Sequence, residues 1–208
     1  MRHQTVLIFG PPGSGKGTQG RVLGSIPGFY HCSCGDVFRR IDVNSEIGRT
    51  FVEFSSKGEL VPDDVTIRMW HAHIRAMHGI GAYKPYQDLL ILDGIPRTVN
   101  QAELLEEELE VLKVMRLVCQ DEEKMIERLR RRAIKENRMD DAKEEVIRNR
   151  WEVYRQESQP VMDHYPPEMI AEIDAMPSPA EVLRQILEYV IPIQNAHFRK
   201  LARENVAG

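Results

Sequence analysis

Cysteine is scarce in this chain. Three occur, Cys32, Cys34 and Cys119, among 208 residues. They are too few and too unevenly spaced for a disulfide framework or a four-ligand zinc site, so a reducing, cytoplasmic compartment is expected. An excess of charge of one sign is also lacking. Lys and Arg number 28 against 32 Asp and Glu, a formal net charge of −4, which argues against a general binder of nucleic acid or anionic membrane. Any anionic ligand must then be held by local basic clusters. Long apolar runs are missing too: Met1-Arg2-His3-Gln4 leads into a short apolar segment that closes on glycine and proline, so neither a signal peptide nor a membrane span is expected. No internal repeat or low-complexity linker divides the chain, whose length fits one domain with a sizeable core and small insertions. His71 and His73, two apart on a helical pattern, fall on different faces, and with His78 they read as solvated histidines rather than a metal site.

What is present is more specific. The apolar run Val6-Leu7-Ile8-Phe9 is followed by Gly10-Pro11-Pro12-Gly13-Ser14-Gly15-Lys16-Gly17-Thr18 and then by a helical pattern. Gly10, four residues and Gly15-Lys16 match a phosphate-binding loop, in which backbone N–H groups and a helix N-terminus surround phosphate oxygens and the lysine adds a point charge. A glycine-rich turn is the plainer reading, but the spacing, the lysine and the context all agree on the loop. One departure stands out: the generic motif carries Ser or Thr directly after the lysine as a magnesium ligand, whereas here Gly17 stands there and Thr18 follows.

Further along, Thr5 to Phe9 reads as a buried parallel strand, Gly17 to Ser25 as the helix after the loop, and Phe29 to Ser33 as a second strand. Ser33-Cys34-Gly35-Asp36 starts a helix whose first turn holds Arg39. Helices are predicted over Ser45 to Ser56 and Pro62 to Met77, with a glycine turn around Gly58 between them and a loop from His78 to Gln87. Asp88 to Asp93 is a third strand, and in a parallel sheet the C-terminal end that carries Asp93 faces the ligand, where it could orient magnesium or its waters. A glutamate-rich helix from Asn100 to Leu112, strands at Val114 to Cys119 and Met169 to Ile173, and a last helix from Pro179 to Val190 complete the pattern. Ile191 to Gly208 reads as a polar tail. Strands alternating with helices predict an α/β, three-layer α/β/α fold around a five-stranded parallel sheet. Between the last two strands lies the most arginine-dense stretch, with Arg128, Arg131, Arg132, Arg138, Arg148 and Arg150 around a short connection from Ala133 to Asn137. The neighbouring glutamates could pair with these arginines as a salt-bridged surface. Beside a phosphate loop, converging arginines also suit the charge that spreads over a transferring phosphoryl group.

Taken together, Gly10 to Gln19, Ser33 to Arg39, Gly58 to Val61, Asp93 to Gln101 and Arg128 to Arg150 resemble the nucleoside monophosphate kinases, and the adenylate kinases most closely. The match runs in the same order from Thr5 to about Val190. The resemblance implies one kinase domain over residues 1–190, with a nucleoside-monophosphate-binding subdomain at 35–74, a short lid at 133–141 and a tail at 191–208. It implies magnesium and ATP with AMP as acceptor and two ADP as product; no structural zinc, since no cysteine lies in the lid; a monomer; and no nucleic-acid or membrane partner. Gly13, Ser14, Gly15, Lys16, Gly17, Thr18, Arg128, Arg132 and Pro177 would hold ATP, and Asp93 magnesium through water. Cys34, Arg39, Glu59, Leu60, Val61, Gly94, Arg97, Gln101, Arg138 and Arg150 would hold AMP, and Lys16, Arg97, Arg132, Arg138 and Arg150 would act on the transferring group. Three departures are visible. Cys34 replaces the threonine of adenylate kinases and the alanine of uridylate/cytidylate kinases, Ile95 replaces a phenylalanine, and the segment from Asp141 to Arg148 is one residue longer than the common pattern, which leaves the register of Arg148 and Arg150 open. Thr98 and Gln101 resemble the adenylate kinases and favour AMP over UMP or CMP. The alternatives are a pyrimidine monophosphate kinase and a nucleotide sensor without turnover, and a sensor has no use for arginines on two segments.

Overall fold

Strands buried on both faces need apolar side chains on both, and Val6 to Phe9 and Leu89 to Asp93 are buried at every position. In the computed structural model, which describes residues 2–136 and 143–207 and side chains as far as Arg203, they form strands β1 (His3–Phe9) and β3 (Leu89–Asp93) at the heart of a five-stranded sheet. With β2 (Phe29–Ser33), β4 (Leu109–Val118) and β5 (Ile170–Asp174), the order is β2-β3-β1-β4-β5, and every pairing is parallel. Helices cover both faces. On one, α1 (Lys16–Leu23) and α8 (Pro179–Ala207) close a core of Val6, Ile8, Leu23, Ile91, Met115 and Ile186. On the other, α2 (Cys34–Arg39), α3 (Glu46–Ser55), α4 (Asp63–Gly79) and α5 (Val99–Leu105) pack around Leu7, Leu90, Leu92, Trp70 and Tyr83. The expected three-layer α/β/α fold is the observed one. A third cluster, Met125, Ile126, Leu129, Ile147 and Trp151, joins α6 (Glu122–Glu136) to α7 (Glu144–Val153).

Chain direction places the site. From β1 the chain moves to β2 and β3 on one side and later to β4 and β5 on the other, so the crevice at the C-terminal end of β1 is the switch point of the sheet. Register puts Ile8 opposite Asp93 and Ser33 opposite Asp93. The loop after β1, the start of α2 and Asp93 therefore share one edge.

Four expected boundaries are corrected. The helix expected from Asn100 to Leu112 ends at Leu105, and β4 begins at Leu109 rather than Val114, because Leu109, Glu110 and Val111 pair with His3, Gln4 and Thr5 before a bulge at Leu112. A run such as Glu108 to Val111 suits helix or strand, and pairing with β1 decides. Ala133 to Glu136, expected as connection, is the last turn of α6; no glycine or proline stops that helix, and Arg, Lys and Glu are good helix formers. Asn137 to Ala142, with Arg138 and most of the expected lid, lie outside the described residues. The last helix does not stop at Val190 but runs through Pro192 to Ala207. Proline removes one backbone bond, yet Gln194 Nε2 donates to Pro27 O at 2.9 Å, and the buried His197 bonds Gln4 Oε1 and Gln87 O at 2.8 and 2.9 Å. These contacts outweigh the lost bond and dock the expected tail. All three histidines expected as solvated have partners: His71 Nε2 meets Glu108 Oε1, His73 Nε2 meets the Tyr30 hydroxyl and His78 Nδ1 meets Tyr83 O.

Candidate active site

The loop after β1 is shaped by glycine where no other residue fits. Gly15, at φ +95°, turns the chain into α1, and Gly13, at φ +85°, lies so close to α6 that a β-carbon would stand 2.8 Å from Met125 O. Lys16 Nζ folds back to donate to Gly10 O at 2.7 Å and Pro11 O at 3.0 Å. Burial, and to a lesser degree Arg97, Arg150 and Arg132, lower its pKa to about 7 against the opposing pull of Asp93. Four cations thus converge where the loop meets the sheet edge. Ser14 Oγ is buried with no hydrogen-bond partner among the described residues, the kind of polar atom that an incoming phosphate would satisfy.

Asp93, 5% exposed, closes the site from β3. A β-carbon on Gly17 would lie 3.5 Å from Asp93 Oδ2, so the position that carries a hydroxyl in the generic motif faces this carboxylate. Thr18 lines the same cleft. A hard carboxylate in a cleft that Thr18 also lines, at the mouth of a phosphate loop, suits magnesium, which prefers oxygen and keeps several waters. His31, for which the sequence predicts no role, lies partly buried on β2 with Nε2 4.0 Å from Asp93 Oδ2. Desolvation lowers its pKa, and Asp93 and Asp36 oppose the shift.

Two clefts meet at this edge. The larger, about 440 Å³, is lined by Gly13 to Thr18, Asp93, Arg128, Arg132 and Pro177. The smaller is lined by Cys34, Glu59, Leu60, Val61 and Gln101. Lys16, Arg39, Gly94, Arg97 and Arg150 line both. The arginine cluster divides. Arg128 reaches the carbonyls of Ala175 and Met176 at 2.9 and 3.1 Å, beside Pro177. Arg132 and Arg150 face the clefts, whereas Arg148 is held on the surface by Glu123 and Glu144. The salt-bridged surface and the converging site are both present, on different faces of the same helices. Of the two arginines whose register the sequence leaves open, Arg150 lines both clefts and Arg148 lines neither.

In the smaller cleft, Arg97 Nε donates to Gly94 O at 2.9 Å and its backbone N–H to Gln101 Oε1 at 2.7 Å. Arg39 pairs with Asp36 at 3.2 Å. Cys34 is buried, and burial pushes its thiol up to about 12 with Arg97 opposing, so it stays a neutral thiol. Phe38, Phe51, Tyr154 and Ser158 also line this cleft, and Lys135 the larger, none of them expected there from the sequence, while Arg131 of the arginine-dense stretch lines the larger as well. Phe38 and Phe51 stack at 5.2 Å between ring centroids. Their helical spacing signalled only a core position.

A phosphate loop at the switch point of a parallel sheet, with a carboxylate and several arginines turned onto it, defines a phosphotransferase of the P-loop class. A sequence model of the family described as "Adenylate kinase" matches residues 8–170. Curated relatives of that name are 40% identical in Nocardia farcinica over 165 residues, 77% of this chain and 84% of the relative, and 39% identical in Synechococcus sp. over 167 residues, 78% and 84%. A third, from Clavibacter michiganensis, is 37% identical over 188 residues, 87% and 90%. The chain belongs to the adenylate kinase family, enzymes of the nucleoside monophosphate kinase type.

Proposed function

We propose that the larger cleft holds ATP, the smaller holds AMP, and the γ-phosphoryl group passes between them at the shared residues to give two ADP. The observation that carries this reading is that two separate clefts meet at Lys16, Arg39, Arg97 and Arg150. The nucleophile is an oxygen of the AMP phosphate, which is ionised at neutral pH, so no general base is needed. Positioning and neutralisation of charge do the work. The backbone N–H groups from Gly13 to Thr18 and the Lys16 ammonium hold the donor phosphates. Arg39 and Arg97 grip the acceptor phosphate, and Arg132 and Arg150, with Arg138 from outside the described residues, close on the equatorial oxygens. Arg128, braced by two carbonyls, offers its guanidinium face to the donor base. Asp93, through water, and Thr18 would hold magnesium, which would supply neutralisation of the charge on the donor phosphates. Glu59, Leu60, Val61, Cys34 and Gln101 line the acceptor base. In this reading residues 35–74 form the acceptor subdomain, residues 133–141 the lid, and the enzyme works as a monomer.

The test is ADP formation from ATP with AMP, UMP and CMP in turn, with and without magnesium. Magnesium-dependent turnover on AMP is expected to exceed that on either pyrimidine nucleotide. A preference for UMP or CMP would overturn the acceptor assignment, and binding without turnover would overturn the assignment of the shared arginines to chemistry.

A further inference from the structure

We infer that Asp63, which lines neither cleft, sets acceptor-base specificity by locking the Gln101 side-chain amide in one of its two flips. This rests on reading the smaller cleft as the acceptor site. Asp63 is the first residue of α4 and Gln101 lies in the first turn of α5. Gln101 Nε2 donates to Asp63 Oδ1 at 2.7 Å. Asp63 Oδ2 accepts from Thr98 Oγ1 at 3.0 Å and from Asn100 Nδ2 at 2.7 Å, so three donors from one turn converge on a single carboxylate. At the other end of the same amide, Gln101 Oε1 accepts the Arg97 backbone N–H at 2.7 Å.

These two partners leave no freedom. A carboxylate oxygen accepts and a backbone N–H donates. Turning the amide over would set oxygen against oxygen and N–H against N–H, losing both bonds at a residue only 1% exposed. The locked amide keeps one N–H and one oxygen lone pair for a ligand, in fixed places. Adenine presents a donor at its 6-amino group and an acceptor at N1. Hypoxanthine presents the reverse, an acceptor at O6 and a donor at N1, in the same places. A glutamine free to flip satisfies either edge, whereas a locked one satisfies one. Asp63 is thus a positioning residue, acting through Gln101 on the choice between 6-amino and 6-oxo bases.

The experiment measures kcat/KM for AMP and for inosine monophosphate, which differ only at that edge, in the wild-type enzyme, Asp63→Asn and Asn100→Ala, with KM for ATP alongside. An asparagine at 63 can offer N–H or oxygen to Gln101, so either flip keeps a partner there. The AMP to inosine monophosphate ratio is expected to fall about tenfold or more in Asp63→Asn, through KM of the acceptors, with KM for ATP unmoved. Asn100→Ala leaves the bond to Gln101 in place and should keep the wild-type ratio. A loss shared equally by both acceptors, with the ratio intact, would overturn the proposal and leave Asp63 a brace between helices. Should Asp63→Asn not fold, Asp63→Ser carries the same comparison. In the wild-type protein, slowed exchange of one Gln101 side-chain amide proton is expected, and exchange as fast as at exposed amides would also overturn it. Failure of the wild-type enzyme to turn over AMP would instead sink the acceptor-site reading itself.

Discussion

Lys16 shows how far burial and neighbouring cations can move one charge. With its pKa lowered to about 7 from 10.5, the free enzyme carries it largely neutral at pH 8.5, while donor phosphates favour the ammonium form. ATP binding at that pH is therefore expected to take up a proton, and at pH 6 the uptake should vanish. Calorimetry in two buffers of different ionisation enthalpy reads this directly, and a heat independent of buffer at pH 8.5 would contradict it. The sign for stability follows from the same shift. Between about pH 7 and 10.5 the unfolded chain binds a proton at Lys16 that the folded one does not, so this residue's contribution to stability rises with pH across that window. Arg97 poses a second residue-scale question. Removing one donor aimed at developing charge costs about 10²-fold or more, so Arg97→Ala should lower turnover by that amount in a steady-state assay. Near-normal turnover would take Arg97 out of the chemistry.

At the scale of elements, α8 is the instructive case. Its first part buries Val182, Ile186 and Val190 in the sheet core, as the amphipathic pattern suggested. Its second part is polar on average, and the reason it stays helical lies elsewhere in the chain, at Pro27, Gln87 and Gln4. His197→Ala removes two buried hydrogen bonds, about 2 kcal/mol, and should lower the melting temperature by about 4–8 °C while leaving KM for both nucleotides unchanged. A changed KM would tie this end of α8 to the site. Helices α6 and α7 make the opposite point. One face of the pair carries surface ion pairs such as Arg148 with Glu123 and Arg130 with Glu144, and the other turns Arg132 and Arg150 onto the clefts. Spacing alone cannot tell these faces apart, since Arg148 and Arg150 are equally charged and equally helical; packing of Ile147 and Trp151 into the core fixes the rotation of α7.

At the scale of the molecule, if the two clefts hold the two nucleotides as proposed, they must admit both and then exclude water, because water could otherwise accept the phosphoryl group. Closure and reopening of this kind commonly limit turnover in such enzymes. The rate with AMP is therefore expected to fall as solvent viscosity rises, with a pre-steady-state burst of product. A flat viscosity series without a burst would put the chemical step in control.

The phosphate loop, the strands around it, Asp93 and the parallel α/β class were legible in the sequence, because each rests on local spacing: an apolar run, glycines at fixed intervals, a lysine and the start of a helix. The arginines could be named as candidates for the same reason. Only the tertiary structure decided which of them face the clefts, where β4 begins and that the last helix runs on past Pro192. It alone joined Asp63 to Gln101 and His31 to Asp93. Those outcomes depend on contacts between residues far apart in the chain, where hydrogen-bond geometry and burial choose among partners that local pattern leaves equivalent.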